Sequence, residues 1–206
     1  MRPTILPVVV FGSLLTLAAC GANQAAGPQA AVGGASVPSA AQASSSASAV
    51  PRNVSLPSGF RDFSFVAYQG EELLGGHEGK FSNLFQSGKP VVLNYWAGSC
   101  PPCRAEMPAF QRVADAQQGK VIVFGLDVGP FVQLGRREDA IELYNALHIR
   151  YPLAYATNVQ PLRLYSVQGM PTTIFFSGSG RIVDKVSGML SEGQLNAQVQ
   201  KRLASG

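Results

Sequence analysis

The feature that most constrains this chain is a pair of cysteines, Cys100 and Cys103, at the boundary between two segments of different pattern. Residues 90–95 (PVVLNY) form a short apolar run typical of a buried strand, and residues 108–116 repeat apolar side chains at helical spacing. The carboxyl end of a strand and the amino end of the next helix face one edge of an α/β sheet, where such folds place their chemistry. We therefore expect both cysteines at that edge.

The spacing of the two cysteines predicts a reversible disulfide. Side chains three residues apart in a first helical turn lie on one face, close enough for two sulfurs to bond. Cys100 at the helix start would face unpaired N–H groups and the positive end of the helix dipole, which favour a thiolate and lower the thiol pKa below about 8.5. Pro101 and Pro102 suit a first turn because they have no N–H to satisfy. We expect Cys100 to attack and Cys103 to resolve.

A CxxC pair also has two other interpretations, half of a zinc site and a structural disulfide. A zinc site needs four ligands, and the other candidates are Cys20, far away in the N-terminal segment, and the two histidines, His77 and His148. A structural bridge over so short a loop would constrain the unfolded chain little. The redox interpretation is favoured, and it requires neither a metal nor an organic cofactor.

Three segments in combination resemble a known family: residues 94–97 (NYWA), 100–108 (CPPCRAEMP) and 169–173 (GMPTT). They are similar to the TlpA/ResA/DsbE group of membrane-tethered, thioredoxin-like thiol–disulfide oxidoreductases. The resemblance extends over about residues 60–203. It implies an α/β fold, a thioredoxin-like three-layer α/β/α sandwich with a mixed central sheet, an N-terminal β-hairpin and a helical insertion.

The resemblance also implies a substrate-binding face around the cysteine pair. It implies that the Met170–Pro171 peptide bond is cis and faces the cysteines, which leaves backbone groups free to pair with an extended peptide. The residues expected to contact substrate are Trp96, Pro101, Pro102, Met170, Pro171 and Thr172.

Glu106 is predicted to assist Cys103. Many thioredoxins bury a proton-relaying aspartate where this chain has Asn94, and an amide cannot titrate. Glu106 lies one helical turn after Cys103, and the resemblance implies a glutamate near the cysteines that could exchange protons with Cys103. The alternative is an exposed helix residue paired with Arg104 or Arg112.

The N-terminus is expected to export and anchor the chain. Residues 1–20 contain an apolar segment too short to span a membrane comfortably, and they end in LAAC, which resembles a bacterial lipobox with Cys20 as the acylated residue. The alternative is an ordinary secretory signal. Residues 21–54 are almost uncharged and rich in Ala, Ser, Gly and Pro, which predicts a flexible tether. Residues 55–206 would form the thioredoxin-like domain.

These observations together predict an exported, membrane-tethered oxidoreductase facing the periplasm or the extracellular side. Its expected partners are proteins with disulfides or thiols, apocytochrome c among them, a membrane thiol-electron donor, and the lipid bilayer through Cys20. The absence of a Lys/Arg run argues against a nucleic-acid partner. The preferred direction is reduction, as in cytochrome c maturation. The alternatives are an oxidase of secreted thiols, a copper chaperone using His148, and an inert binding domain.

The remaining elements are predicted from apolar periodicity and turn residues. A hairpin is expected from strand 63–68 and a return strand starting at Leu73, followed by a helical turn capped by Ser82. Further strands are expected at 121–127, 151–155, 172–176 and 181–186. Helices are expected at 136–147, 159–166 and from a Ser191 cap to 203, with Pro108 kinking the helix after the cysteines.

Overall fold

The computed structural model describes residues 55–203. The strands of this part are β1 Ser64–Gln69, β2 Glu78–Lys80, β3 Val91–Trp96, β4 Ile122–Asp127, β5 Leu153–Ala156, β6 Thr172–Phe176 and β7 Ile182–Ser187. Its α-helices are α1 Glu71–Leu74, α2 Pro101–Ala116, α3 Gly129–Val132, α4 Arg137–Ala146, α5 Gln160–Leu164 and α6 Glu192–Leu203. A 3₁₀ turn, Phe81–Phe85, lies between β2 and β3.

The strands of residues 55–203 form one mixed sheet in the order β2-β1-β5-β4-β3-β6-β7. β3, β4 and β5 are parallel, whereas β1, β6 and β7 pair antiparallel with their neighbours. β3 and β4 are buried at every position, as expected for central strands covered on both faces. Trp96 at the end of β3 is in register with Asp127 at the end of β4. The carboxyl ends of the central strands therefore lie side by side.

Two apolar cores cover the two faces of the sheet. One contains Phe110 of α2, Leu143 of α4 and Leu195 of α6. The other contains Leu162 of α5 and a group of aromatic rings around Phe81 of the 3₁₀ turn. The α/β/α sandwich with a mixed sheet is thus confirmed. None of the helices within residues 55–203 combines the length and the apolar character needed to cross a membrane.

The N-terminal hairpin forms, but its return strand differs from the prediction. Residues 71–74 are helix α1 rather than the start of a strand, and β2 at 78–80 pairs with β1 instead. Gly70 and Gly75, with φ of 81° and 83°, flank this short helix. Positive φ is easily reached by glycine, so the chain can turn sharply into and out of one helical turn. Sequence periodicity over four residues could not distinguish the two outcomes.

Most other predicted elements are confirmed with end points shifted by no more than two residues. α2 begins at Pro101, in agreement with the placement of the cysteines in a first turn. Ser191 caps α6 as predicted, since its hydroxyl accepts from the backbone N–H of Gln194 at 3.3 Å. The predicted Ser82 cap is wrong: the 3₁₀ turn has no side-chain cap, and the Ser82 hydroxyl instead donates to Asp62 at 2.8 Å.

The helical insertion, α3 and α4 between β4 and β5, supports the loop before the cysteines. A side chain on Gly98 would collide with the backbone of Ala140 near the start of α4. The N–H of Ser99 donates to the carbonyl of Leu134 at 2.9 Å. Contact this close requires glycine at position 98, and it ties the position of Cys100 to the insertion.

The predicted signal segment 1–20, the tether 21–54 and the anchor Cys20 lie outside the described residues, as does the end of the chain after residue 203. They stay predictions from the sequence.

Candidate active site

Cys100 and Cys103 are joined by a disulfide, with their Cα atoms 5.3 Å apart. Cys100 is the N-cap of α2 and has extended backbone angles, and Pro101 and Pro102 form the first helical positions. The backbone N–H of Cys103 donates to Sγ of Cys100 at 3.3 Å. A backbone donor is therefore already directed at the sulfur that was predicted to carry the negative charge.

The surroundings of the disulfide are partly exposed. Both sulfur-bearing residues are buried, at 3% exposure for Cys100 and none for Cys103, but Pro101 and Pro102 beside them are exposed. Met170 is half-buried and packs against the apolar core that contains both cysteines. The Met170–Pro171 peptide bond is cis, as the resemblance implied. The Pro171 carbonyl accepts from the N–H of Gly188 at 2.8 Å, which joins the β6 and β7 ends of this surface.

Three of the predicted substrate contacts are buried side chains: Trp96, Pro171 and Thr172. The indole of Trp96 has no exposure and belongs to the apolar core that contains both cysteines. The hydroxyl of Thr172 donates to the Gly169 carbonyl at 2.7 Å. Their side chains are therefore not exposed around the disulfide, and their contact with substrate stays a prediction.

Glu106 is buried, with 1% exposure, so its interpretation as an exposed residue paired with Arg104 or Arg112 is wrong. One carboxylate oxygen accepts from Nδ2 of Asn94 at 2.8 Å and the other from the N–H of Leu190 at 3.0 Å. Burial raises the pKa of Glu106 from 4.5 to about 7, and the two hydrogen bonds oppose that rise. A carboxyl with this pKa can take up or release a proton near neutral pH.

A second buried carboxylate, Asp127, lies at the same edge of the sheet and was not predicted to matter. It accepts from the hydroxyl of Tyr68 at 2.9 Å and from the N–H of Gly129 at 2.8 Å. Burial raises the pKa of Asp127 to about 6. The available sequence signal was an acidic residue ending the apolar run 121–126, at the strand end where α/β folds place functional groups.

The two histidines make no hydrogen bond to Glu106 or Asp127 among the described residues. His77 is exposed and contacts Glu71 at 3.0 Å. His148 follows α4, exposed, as predicted for a helix-end residue. Within residues 55–203 there is no group of three or more His, Cys, Asp or Glu side chains arranged to hold a metal ion.

A disulfide at the start of the helix that follows a central strand, in a sandwich of this type, is the arrangement of the thioredoxin fold, and the chain falls in the class of thioredoxin-fold proteins with a CxxC disulfide. More specifically, it belongs to the AhpC/TSA family, which it matches over residues 63–185.

Named relatives agree with this assignment. The thiol–disulfide oxidoreductase ResA of Oceanobacillus iheyensis is 34% identical over 116 residues, which cover 53% of this chain and 57% of that protein. The structure of MTB DsbF, 25% identical, matches with a TM-score of 0.59 over 71% of this chain and 98% of the other. A candidate thiol:disulfide interchange protein DsbE from Chlorobium tepidum, 23% identical, shares the fold with a TM-score of 0.59 over 72% and 99%. The chain thus spans little more than half the length of the ResA relative. The predicted resemblance to the ResA/DsbE group is confirmed.

Proposed function

We propose that this protein is an exported thiol–disulfide oxidoreductase that reduces disulfides in other proteins. The observation that carries the proposal is the disulfide of Cys100 and Cys103 at the start of α2, with the Cys103 N–H directed at Sγ of Cys100. The ResA relative is by name a thiol–disulfide oxidoreductase.

In the proposed reaction the reduced protein supplies two electrons. The Cys100 thiolate attacks one sulfur of a substrate disulfide, a mixed disulfide forms, and the other substrate sulfur leaves as a thiolate. Cys103 then loses its proton to Glu106 and attacks Sγ of Cys100, which releases the second substrate sulfur. The substrate gains both electrons and the protein ends with its own disulfide. A thiol donor in the membrane must return two electrons before the next cycle.

The substrate surface proposed here consists of exposed or half-exposed apolar groups around the disulfide: Pro101, Pro102, Met170 and Met189, the last being 53% exposed. Met189 belongs to this surface because its neighbour Leu190 donates its N–H to Glu106. An extended peptide segment carrying the target cysteine fits an apolar rim next to a cis-proline loop. Apocytochrome c, whose cysteines must be reduced before haem attachment, is the proposed substrate class.

For the rest of the chain we propose the organisation given by the sequence. Residues 1–20 would direct export, Cys20 would carry the lipid, residues 21–54 would act as tether, and residues 55–206 would be the catalytic domain. A tether behind a lipid anchor confines the domain to a thin layer at the membrane and raises its effective concentration towards membrane-bound partners.

Trapping tests the reaction. In a Cys20→Ser background, which leaves the cysteine pair as the chain's thiols, Cys103→Ser should accumulate mixed disulfides between Cys100 and its substrates, identified by mass spectrometry after non-reducing electrophoresis. The matched Cys100→Ser variant should capture far less, because the remaining thiol of Cys103 has no exposure and lies inside α2, whereas Cys100 is at the helix start. Equal capture by both variants, or none by either, would refute the assigned roles.

The reduction potential tests the direction. A reductase should have a potential near that of thioredoxin, about −270 mV, whereas an oxidase should lie near DsbA at about −120 mV. Equilibration with glutathione and with thioredoxin, read by the reduced fraction of the cysteine pair, separates these values. A potential close to DsbA's would replace reduction with oxidation of secreted thiols.

A further inference from the structure

The amide of Asn94 is buried in the centre of the sheet beneath α2, and the reaction above gives it no role. We propose that Asn94 is a positioning residue that holds Glu106 in its ionised, proton-accepting form by donating a hydrogen bond to it from the sheet. This inference rests on the proposed function, because it concerns the group that would take the proton of Cys103.

The side-chain amide of Asn94 donates its hydrogen bonds to two buried partners. It lies in β3, in register with Thr173 of β6. Its Nδ2 donates to Oε1 of Glu106 at 2.8 Å and to Oγ1 of Thr173 at 3.1 Å, so both amide hydrogens are used. The second oxygen of Glu106 accepts from the N–H of Leu190 at 3.0 Å. Both oxygens of the carboxylate therefore accept from donors, which favours the ionised form.

The carbonyl oxygen of the Asn94 amide faces away from Glu106. Oδ1 of Asn94 is buried and has no hydrogen-bond partner among the described residues. Rotating the amide would turn this acceptor towards Glu106 and would favour the protonated acid. The observed orientation leaves an acceptor unsatisfied while both donors stay on their partners. The two hydrogen bonds from Nδ2, to Glu106 and to Thr173, direct a donor rather than an acceptor at the carboxylate, which stabilises negative charge on Glu106.

The residue type matters as much as its position. An aspartate at 94 would place a second carboxylate against Glu106, and two such groups hold on to a shared proton. A leucine would fill the same volume and donate nothing. Two other titratable groups bear on Glu106: Cys103, three residues earlier on α2, and Tyr151, whose pKa is raised by burial and then by the charge of Glu106. Tyr151 therefore stays neutral, and Asn94 is the side chain that can adjust Glu106.

The test measures the titration of Glu106 directly. In the oxidised protein both cysteines are in the disulfide, so carbon-13 NMR of the glutamate side chains follows Glu106 without thiol titration, with Glu106→Gln assigning its signal. The midpoint should lie near 7 in the parent protein. Asn94→Leu should raise it by about one pH unit, the size expected for losing one hydrogen bond to a charged group. Asn94→Asp, which preserves shape, should raise it at least as far.

Thr173→Val is the matched control. It removes the other hydrogen bond of the Asn94 amide but leaves the contact with Glu106, so the midpoint should stay within about 0.3 of the parent value. A general loosening of this buried region would move the midpoint in Thr173→Val as well. If Asn94→Leu and Asn94→Asp both leave the midpoint where Thr173→Val leaves it, the inference is overturned.

A second readout separates this inference from the proposed function. The rate at which Cys103 resolves a mixed disulfide with a model peptide is measured against pH in the reduced protein. Its midpoint should move upward in Asn94→Leu by the same amount as the NMR midpoint, and the shift should vanish in a Glu106→Gln background. A shift in the NMR titration without any disulfide exchange would refute the proposed function and leave Asn94 as the residue that adjusts Glu106. If disulfide exchange occurs but neither midpoint shifts in Asn94→Leu, only the role of Asn94 is refuted.

Discussion

The burial of Glu106 makes the stability of this protein depend on pH in a predictable direction. The carboxyl titrates near 4.5 when exposed and near 7 in the fold, because burial disfavours its charge. Between these values the folded state binds more protons than the unfolded state, so the free energy of unfolding falls as pH rises, and the loss is complete above 7. A shift from 4.5 to about 7 corresponds to roughly 3 kcal/mol. Glu106→Gln should abolish this share of the pH dependence.

Urea unfolding of the oxidised protein at pH 4.5 and pH 8 measures the effect. The difference between the two pH values should be smaller in Glu106→Gln than in the parent by about 3 kcal/mol, whatever the variant does to stability at either pH alone. Comparing differences matters because the glutamine amide must face the donors from Asn94 and Leu190. Glu142, exposed on α4, supplies the matched Glu142→Gln variant, which controls for the effect of the substitution itself. An unchanged difference in Glu106→Gln would show that the carboxyl titrates as if it were in water and would remove the basis for its role as a base.

Two further outcomes follow from the structure. Burial also raises the pKa of Asp127, so the free energy of unfolding should fall by roughly 3 kcal/mol as pH rises from about 4 to 6, and Asp127→Asn should remove this loss. Urea unfolding at pH 4 and pH 7.5 measures it. A pH dependence equal to that of the parent protein would contradict it. Gly98→Ala should lower the free energy of unfolding by more than about 2 kcal/mol and slow disulfide exchange, because the new methyl group meets the backbone of α4. Gly193→Ala in α6, where nothing lies within 4 Å, should be neutral or slightly stabilising. Equal effects of the two variants in thermal unfolding would contradict this account.

Much of the site could be predicted because its signals are local. Cys100 and Cys103 lie three residues apart, and the apolar run before them and the helical pattern after them place both at a strand–helix junction. The structure has α2 starting at Pro101 with Cys100 as its N-cap. The proline before a β-branched, aromatic strand likewise marked the start of β6. Spacing and turn chemistry suffice where the interacting groups are neighbours in sequence.

Prediction failed where the outcome depended on partners far along the chain. The complete burial of Trp96 did not follow from its local sequence, and its side chain has no exposure. A return strand was expected to start at Leu73, but Leu73 and Leu74 end a helical turn between two glycines. Asp127 was read as the end of a strand, although Tyr68, 59 residues earlier, donates to it. Burial of a particular side chain is a property of the packed layers, which local pattern does not contain.

The sequence by itself determined that this chain has a dithiol pair at the amino end of a helix, since three residues of spacing and two prolines define that geometry locally. Only the tertiary structure decided what surrounds Glu106. Its two hydrogen bonds come from Asn94, 12 residues earlier on β3, and from Leu190, 84 residues later after β7. A carboxyl acquires a near-neutral pKa by losing water and gaining specific donors, and both depend on the sheet and helices that close around it.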